Sequence, residues 1–238
     1  MQNSGRYAQI YHEQLGLPAE LESSSLLPWQ GVETIRDRLY LTSDDVLLDL
    51  GCGRGGYGLE LARRAGASLI GVDFSTVALA RAREQIGTFG LAGRAEFFPG
   101  DLADTGLTSG SVDAVVCVDS VQFSDPPREA ILECRRVLRP GGRVAITCWQ
   151  PLHPNEERVP LRLRRIDLMT DLSSVGFTQI RISHMPEWHA AERRLWETAL
   201  AADATGDPAL VSMQHEAARV LATFDLMQRI LATAAAPA

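Results

Sequence analysis

The sequence has few of the features that mark proteins bound to nucleic acids or membranes. Its 238 residues carry 23 basic and 30 acidic side chains, for a formal net charge of −7. A protein that binds a phosphate backbone needs a basic face instead. The nearest candidates for a basic stripe are Arg135, Arg136, Arg139, Arg162, Arg164 and Arg165, and we interpret them as parts of solvated helix faces. No apolar run reaches the roughly 18 residues of a membrane span. We therefore expect neither a nucleic-acid nor a membrane partner.

Cysteine is scarce, and the residues that bind metals are scattered. Cys52, Cys117, Cys134 and Cys148 stand singly, without metal-ligand spacing. No D-x-D pattern or metal-ligand cluster accompanies them. No secretory signal begins the chain. These absences predict reduced thiols, a cytoplasmic location and no metal site.

A glycine-dense stretch follows an apolar run near the start of the chain. Residues 46–58 have the sequence V-L-L-D-L-G-C-G-R-G-G-Y-G, and a helical pattern follows. A strand, a glycine turn and a helix in this order are typical of a nucleotide-binding α/β unit. Glycine lets the backbone approach a ligand closely. The helix N-terminus offers free N–H groups to an anionic group.

Asp49 helps to distinguish the ligands that such a turn could hold. Gly51, Gly53 and Gly56 fit the dinucleotide pattern G-x-G-x-x-G, but a carboxylate beside them would face the charges of a diphosphate. S-adenosylmethionine has no phosphate and carries an ammonium, a carboxylate and a sulfonium, so an acid at this position suits it. The alternative is that Asp49 only caps a helix or holds a loop.

Asp73 ends a second apolar run, about twenty residues beyond the glycines. Both kinds of nucleotide ligand use an acid at this place to bind ribose hydroxyls. Asp73 therefore indicates a nucleotide without choosing between the cofactors.

Four motifs together resemble those of class I S-adenosylmethionine-dependent methyltransferases. They are D-L-G-C-G-R-G at 49–55, G-V-D-F-S at 71–75, G-D-L at 100–102 and L-R-P-G-G-R at 138–143.

The resemblance covers residues 44–182 and implies a role for each motif. Asp49 and the glycines would hold the methionine part of the cofactor, and Asp73 the ribose. Asp101 and Leu102 would hold the adenine, and Asp119 would line the methyl-transfer site. The complete set of cofactor-binding residues that we expect is Asp49, Gly51, Cys52, Gly53, Asp73, Phe74, Ser75, Gly100, Asp101, Leu102, Asp119, Ser120 and Tyr11.

The alternation of predicted strands and helices fits the fold of that family. We expect a Rossmann-like, doubly wound α/β fold, with a seven-stranded, mostly parallel sheet in the order 3-2-1-4-5-7-6. Residues 1–43 would form an N-terminal helical lid, and residues 44–238 the methyltransferase domain. The sequence pattern of residues 187–224 predicts a pair of helices inserted before the last strand. Its apolar stripe would pack either on the sheet or on a second subunit. In the second case the protein would be a homodimer.

The acceptor side of the site is less sharply marked than the cofactor side. The lid residues of interest are Tyr7, Tyr11, His12, Trp29 and Gln30. The two tyrosines could instead simply attach a helix to the core. The substrate pocket is predicted at Tyr7, Trp29, Gln122, Phe123 and Trp149.

The general base is also uncertain from the sequence. Many members of the family carry a histidine shortly after the fourth strand, where this chain has Gln122 and Phe123. The candidates are His12 in the lid and His153. His153 follows a fifth strand that we expect to end at Trp149. The alternative is that both are surface or packing histidines.

The motifs favour methyl transfer to a small molecule. The chain has no N-P-P-Y or D-P-P-Y sequence, since Arg128 follows the D-P-P at 125–127. We predict transfer to an O, N or C atom of an apolar, natural-product-like acceptor, as in bacterial secondary metabolism. One alternative is a protein that binds S-adenosylmethionine without methylating, as a cyclase or regulatory module. Another is a nicotinamide-dependent oxidoreductase, although no Tyr-x-x-x-Lys pair supports it.

Overall fold

Strands and helices alternate over most of the chain. The computed structural model describes residues 5–238. The strands in this range are β1 (Val46–Leu50), β2 (Ser68–Asp73), β3 (Ala95–Pro99), β4 (Val112–Val118), β5 (Leu138–Pro151), β6 (Thr178–His184) and β7 (Met227–Ala235). The α-helices in the same range are α1 (Gly5–Leu15), α2 (Trp29–Leu39), α3 (Gly56–Ala65), α4 (Thr76–Gln85), α5 (Pro127–Val137), α6 (Leu161–Arg164), α7 (Leu168–Ser174), α8 (Pro186–Ala201) and α9 (Pro208–Leu221).

The strands form one sheet whose order confirms the prediction. From edge to edge the order is β3-β2-β1-β4-β5-β7-β6. The first five of these strands are parallel, and β7 runs antiparallel to both β5 and β6. Apart from one aspartate in each, the central strands β1 and β4 are apolar because helices cover both faces of the sheet. Their carboxyl ends therefore meet at one edge, where ligands bind in such folds.

The core has two apolar layers, one on each face of the sheet. Neighbouring residues of a strand point to opposite faces, so Leu47 belongs to one layer and Leu48 to the other. The Leu47 layer continues without a break into α1 and α8, through side chains such as Leu15 and Trp188. The N-terminal helices and the predicted helical insertion thus pack on one another and form a joint cover over one side of the molecule.

The insertion before the last strand consists of α8 and α9, as predicted. Pro208 occupies the first turn of α9, and the Asp207 side chain accepts a hydrogen bond from the Leu210 N–H at 3.0 Å. Among the described helices, none combines the length and the apolar character required to cross a bilayer.

Candidate cofactor and acceptor site

The turn after β1 brings the backbone close to the end of β4. Gly51 has a φ of +73°, and its N–H donates to the Val72 carbonyl at 2.8 Å. A Cβ at this position would lie 2.6 Å from Ser120 Oγ, which itself donates to the Gly51 carbonyl at 3.1 Å. Both the positive φ and the close approach require glycine here. The turn therefore joins the ends of β1, β2 and β4 into one surface.

Asp73 organises the same surface from the end of β2. Its Oδ2 accepts the Gly53 N–H at 2.8 Å, and its Oδ1 accepts the Ser75 N–H at 2.8 Å. An ionised carboxylate has about four lone-pair sites, so the half-buried Asp73 keeps capacity for further donors. Ser75 in turn caps α4 by accepting the Ala78 N–H at 3.3 Å.

A cavity of about 1020 Å³ lies over this edge of the sheet. Most of the residues predicted for cofactor and acceptor line it together. Those that do are Asp49, Gly51, Cys52, Gly53, Asp73, Phe74, Ser75, Gly100, Asp101, Leu102, Asp119, Ser120, Gln122, Phe123 and Trp149. Tyr7, Tyr11, His12, Trp29 and His153 do not belong to the lining.

Asp49 lies on the inner wall of the cavity with 2% of its surface exposed. Its Oδ2 accepts the Gly58 N–H at 3.2 Å. The pKa of Asp49 is raised to about 7, mainly by burial and to a smaller extent by the nearby Asp73, whereas the Gly58 hydrogen bond opposes the shift. A cation bound beside Asp49 would stabilise the charged form of this carboxyl group.

Asp119 is part of a buried ion-pair cluster. Arg229, on β7 and fully buried, places its Nη1 2.9 Å from Asp119 Oδ1 and donates from Nη2 to Oδ2 at 3.1 Å. The Thr147 hydroxyl donates to Oδ1 at 2.7 Å, and the Ser25 hydroxyl donates to Oδ2. The carboxylate that we expected to face the cofactor is thus held on both oxygens by protein groups. It forms part of the cavity wall while linking β4, β5, β7 and the N-terminal segment.

Glu192 is a second carboxylate beside the same arginine. Its Oε2 accepts the Trp149 indole N–H at 2.8 Å and lies 3.9 Å from Arg229 Nε, and its Oε1 accepts the Trp196 N–H at 3.3 Å. The Arg229 guanidinium also lies 4.0 Å above the Trp149 ring. Burial raises the pKa of Glu192 to about 7, although Arg229 counteracts this. Glu192, Trp149 and Trp196 all line the cavity.

The segment between α1 and α2, rather than the predicted lid side chains, covers the site. Ser23, Ser24, Ser25 and Leu26 line the cavity. The Tyr57 hydroxyl fixes this segment by donating to the Leu27 carbonyl at 2.8 Å and contacting the Ser25 carbonyl at 3.2 Å.

The aromatic residues expected in the lid pack behind this segment. Tyr7 and Tyr11 stack with ring centroids 6.5 Å apart, and Tyr11 is buried in the core. Trp29 lies against Arg64, whose guanidinium is 4.4 Å from the ring. His12 is half-buried beside Tyr11. Their placement matches the alternative in which these side chains attach helices to the core.

His153 lies outside the cavity because β5 is longer than expected. The strand continues past Trp149 to Pro151, which pairs with Met227 of β7. His153 consequently stands on an exposed loop beyond the sheet edge. This geometry offers His153 no support as a base for a reaction inside the cavity.

Gln122 and Phe123 occupy different positions in the lining. Gln122 is buried and donates from Nε2 to the Asp119 carbonyl at 2.5 Å, while its Oε1 has no hydrogen-bond partner within residues 5–238. That unused acceptor is available to a ligand. Phe123 is 67% exposed, with the Arg162 guanidinium 5.7 Å from its ring, and both residues belong to the cavity lining.

Sequence reasoning missed several lining residues, although one left a signal. Trp188, Leu195, Trp196 and Ala199 form an apolar stripe on α8, and Glu192 interrupts this stripe at helical spacing. A charged residue on a buried helix face needs a partner or a function. Nothing local in the sequence marked Ser25 or Arg219 as lining residues, or Arg229 as the partner of Asp119 and Glu192.

Comparison with known proteins identifies the domain. Residues 48–146 match a family model described as a methyltransferase domain. Methyltransferase GfsG of Streptomyces halstedii is 33% identical over 114 residues, which are 48% of this chain and 41% of that protein. The chloroplastic tocopherol O-methyltransferase of Arabidopsis thaliana is 34% identical over 103 residues, 43% of this chain and 30% of that protein. The match thus spans less than half the length of these curated relatives.

Solved structures resemble almost the whole chain. The crystal structure of the [4+2]-cyclase SpnF aligns with a TM-score of 0.76 and 22% identity over 98% of this chain and 94% of that one. Phosphoethanolamine N-methyltransferase 2 of Haemonchus contortus, bound to S-adenosyl-L-methionine, aligns with a TM-score of 0.77 and 22% identity over 97% and 57%. At such identities the likeness shows the fold. The chain therefore shares the fold of these proteins, and its residues 48–146 match a methyltransferase domain.

Proposed function

We propose that this protein transfers a methyl group from S-adenosylmethionine to a small-molecule acceptor. The observation that carries the proposal is one continuous cavity, with the glycine turn and two acids at one end and indoles with a buried carboxylate at the other. A pocket for a single small ligand is typically about 300–1,000 Å³. The volume of about 1020 Å³ gives room for the cofactor together with an acceptor.

The residues at the glycine turn fit the cofactor chemically. Asp73 has spare acceptor sites for ribose hydroxyls. Phe74, 82% exposed at the cavity, offers an apolar ring surface to the adenine beside Leu102. Asp49 contributes negative charge near the ammonium and sulfonium, where a diphosphate would be repelled. The other predicted cofactor-binding residues at this end of the cavity are Cys52, Ser75, Gly100, Asp101 and Ser120.

We expect cofactor binding to release a proton from Asp49. Because the pKa of Asp49 is about 7 in the free protein, a bound cation should lower it. Affinity for S-adenosylmethionine should then rise by up to about tenfold per pH unit as the pH increases toward 7, and level off above it. Isothermal titration calorimetry between pH 6 and 8, in buffers of different ionisation enthalpy, measures both the affinity and the protons released.

Asp49→Asn is the matched variant for this measurement. It keeps an oxygen for the Gly58 N–H and removes the titration, so any remaining pH dependence comes from the ligand or from Glu192. Equal proton release by the native protein and the variant would show that Asp49 does not face the cationic part of the cofactor.

The opposite end of the cavity favours an apolar acceptor. The lining there includes five large apolar side chains, Leu26, Trp149, Leu163, Trp196 and Met227. The names of similar proteins include an O-methyltransferase, an N-methyltransferase and a C-methyltransferase, so similarity does not select the atom that is methylated. We infer a natural-product-like molecule with an apolar body and a polar reacting atom.

Labelled cofactor provides the direct test of this function. The protein would be incubated with S-adenosylmethionine carrying a labelled methyl group and a host metabolite extract, followed by mass spectrometry. Formation of S-adenosylhomocysteine together with a labelled product supports the proposal. Binding of the cofactor without S-adenosylhomocysteine would favour the non-methylating alternative. Calorimetric heat with NAD, and none with S-adenosylmethionine, would favour an oxidoreductase.

A further inference from the structure

Glu192 is an ionisable group on the inner wall of the cavity that cofactor binding does not require. It projects from the middle of α8 with 2% of its surface exposed, yet it belongs to the cavity lining. Trp149 and Trp196, which hold its two oxygens, are also lining residues. The carboxylate is therefore placed at the acceptor end, between two indole rings.

The hydrogen bonds of Glu192 leave it able to accept another donor. A carboxylate has about four lone-pair sites, and the two indole N–H groups occupy two of them. The Arg229 Nε lies 3.9 Å away, which is beyond hydrogen-bonding distance. An acceptor hydroxyl in the cavity could therefore bond to Glu192 without displacing either tryptophan.

The charged groups around Glu192 come from two other elements. Arg229 on β7 and Asp119 at the end of β4 face it, and these two already form a close ion pair. Two carboxylates thus share one guanidinium in a buried place. Since Asp119 takes both short contacts to Arg229, Glu192 is the less fully compensated of the two carboxylates.

We propose that Glu192 is the general base of the reaction, and that the acceptor presents a hydroxyl group carried on an apolar body. This assignment rests on the proposed methyl transfer and replaces the histidines considered from the sequence. S-adenosylmethionine supplies the methyl group, with an oxygen–carbon bond forming as the carbon–sulfur bond breaks and sulfur keeping that electron pair. Glu192 takes the hydroxyl proton and becomes a neutral carboxylic acid, which later returns the proton to solvent.

The charge change suits the cavity. Before transfer the site holds an ionised Glu192 and a cationic donor, and afterwards both are neutral. Removing two opposite charges costs little in a poorly solvated site, whereas leaving an alkoxide or a free proton there would cost far more. The pKa of about 7, raised by burial, leaves Glu192 largely ionised above neutral pH and basic enough to accept the proton.

2-Naphthol can test the contact without any methyl transfer. It has an apolar body and one hydroxyl, and it becomes a much stronger acid on excitation. In a site that excludes water, which would otherwise accept the proton, naphtholate emission therefore reports a base in contact with that hydroxyl. The complete chain would be saturated with S-adenosylhomocysteine to fill the cofactor end, and then titrated against the probe at pH 8. We expect naphtholate emission from the bound probe, a decrease of that emission as the pH falls through 7, and loss of most of it in Glu192→Gln.

Two control variants separate Glu192 from other carboxylates. Glu197→Gln changes an exposed residue of the same helix, and Glu216→Gln changes a carboxylate of the same cavity near its rim. Both should keep the naphtholate emission. Calorimetry with S-adenosylhomocysteine checks the fold of every variant. If Glu192→Gln fails this check, Glu192→Asp takes its place. The shorter side chain keeps the charge beside Arg229 but moves the carboxylate oxygens away from the bound probe. Glu192→Asp should therefore also lose the naphtholate emission.

Several results would overturn the assignment. The first two are that 2-naphthol does not bind, or that the native complex at pH 8 emits as neutral 2-naphthol and not as naphtholate. The other two are that naphtholate emission is unchanged in Glu192→Gln, or that it is lost in Glu216→Gln. The assay is independent of the labelled-methyl experiment. A protein that binds the cofactor and shows naphtholate emission but forms no S-adenosylhomocysteine would therefore contradict the proposed function and leave the basic site in place.

Discussion

Asp73→Ala is expected to weaken binding of S-adenosylhomocysteine by a factor of about 10² to 10⁴. In our proposal the variant loses two ribose hydroxyl bonds to a charged acceptor, each of which contributes about 1.5–3 kcal/mol. It also loses the bonds from Gly53 and Ser75 to the same carboxylate, so the turn itself becomes less ordered. Isothermal titration calorimetry with the native protein and the variant measures the change.

A 2′,3′-dideoxy analogue of S-adenosylhomocysteine separates these two causes. The native protein should bind the analogue more weakly than S-adenosylhomocysteine, by the free energy of the two ribose hydrogen bonds. Asp73→Ala has already lost these bonds, so it should bind the analogue and S-adenosylhomocysteine with similar affinity. Asp104→Ala, at an exposed carboxylate that does not line the cavity, is the matched control and should bind like the native protein. If the variant discriminates between ligand and analogue as strongly as the native protein does, Asp73 does not bind the ribose.

Arg229→Met is expected to lower the free energy of unfolding by about 3–5 kcal/mol at pH 8. The substitution keeps much of the apolar volume but leaves Asp119 and Glu192 buried without their cation. It also removes the guanidinium that lies against the Trp149 ring. Urea unfolding followed by circular dichroism measures the effect.

Two further measurements test whether the buried carboxylates cause the loss of stability in Arg229→Met. One is its pH dependence, and the other is a comparison with a surface variant. Because the pKa of Glu192 is already about 7, this carboxylate takes up a proton as the pH falls, so the deficit of Arg229→Met should shrink below pH 7. Arg193→Met removes an ion pair whose Asp225 partner is exposed, and such pairs contribute about 0–1 kcal/mol. A deficit in Arg229→Met no larger than that of Arg193→Met would mean that the buried charges do not depend on Arg229.

The residues predicted from local motifs are ones that the structure brings together at one edge of the sheet. The Asp49–Gly53 turn, Asp73 and Gly100–Leu102 each lie at the end of a strand, and the order of the strands brings those ends together. The backbone conformation of each turn is set by its own few residues, so its motif is visible in the sequence. His153 shows the limit of this logic, since pairing of β5 with β7 carries the chain two residues farther before it bends.

The remaining features depend on pairs that are far apart in the chain. Ser25 bonds to Asp119 across 94 positions, Arg229 bonds to Asp119 across 110, and Trp149 bonds to Glu192 across 43. No periodicity or motif records such pairs, because which charge meets which depends on the packing of complete helices and strands. The sheet, the glycine turn and the acids beside it could all be predicted from sequence patterns. The folded structure is needed to see that Arg229 makes its short contacts to Asp119 and lies farther from Glu192. Buried charges are matched in space, by distance and desolvation, and not along the chain.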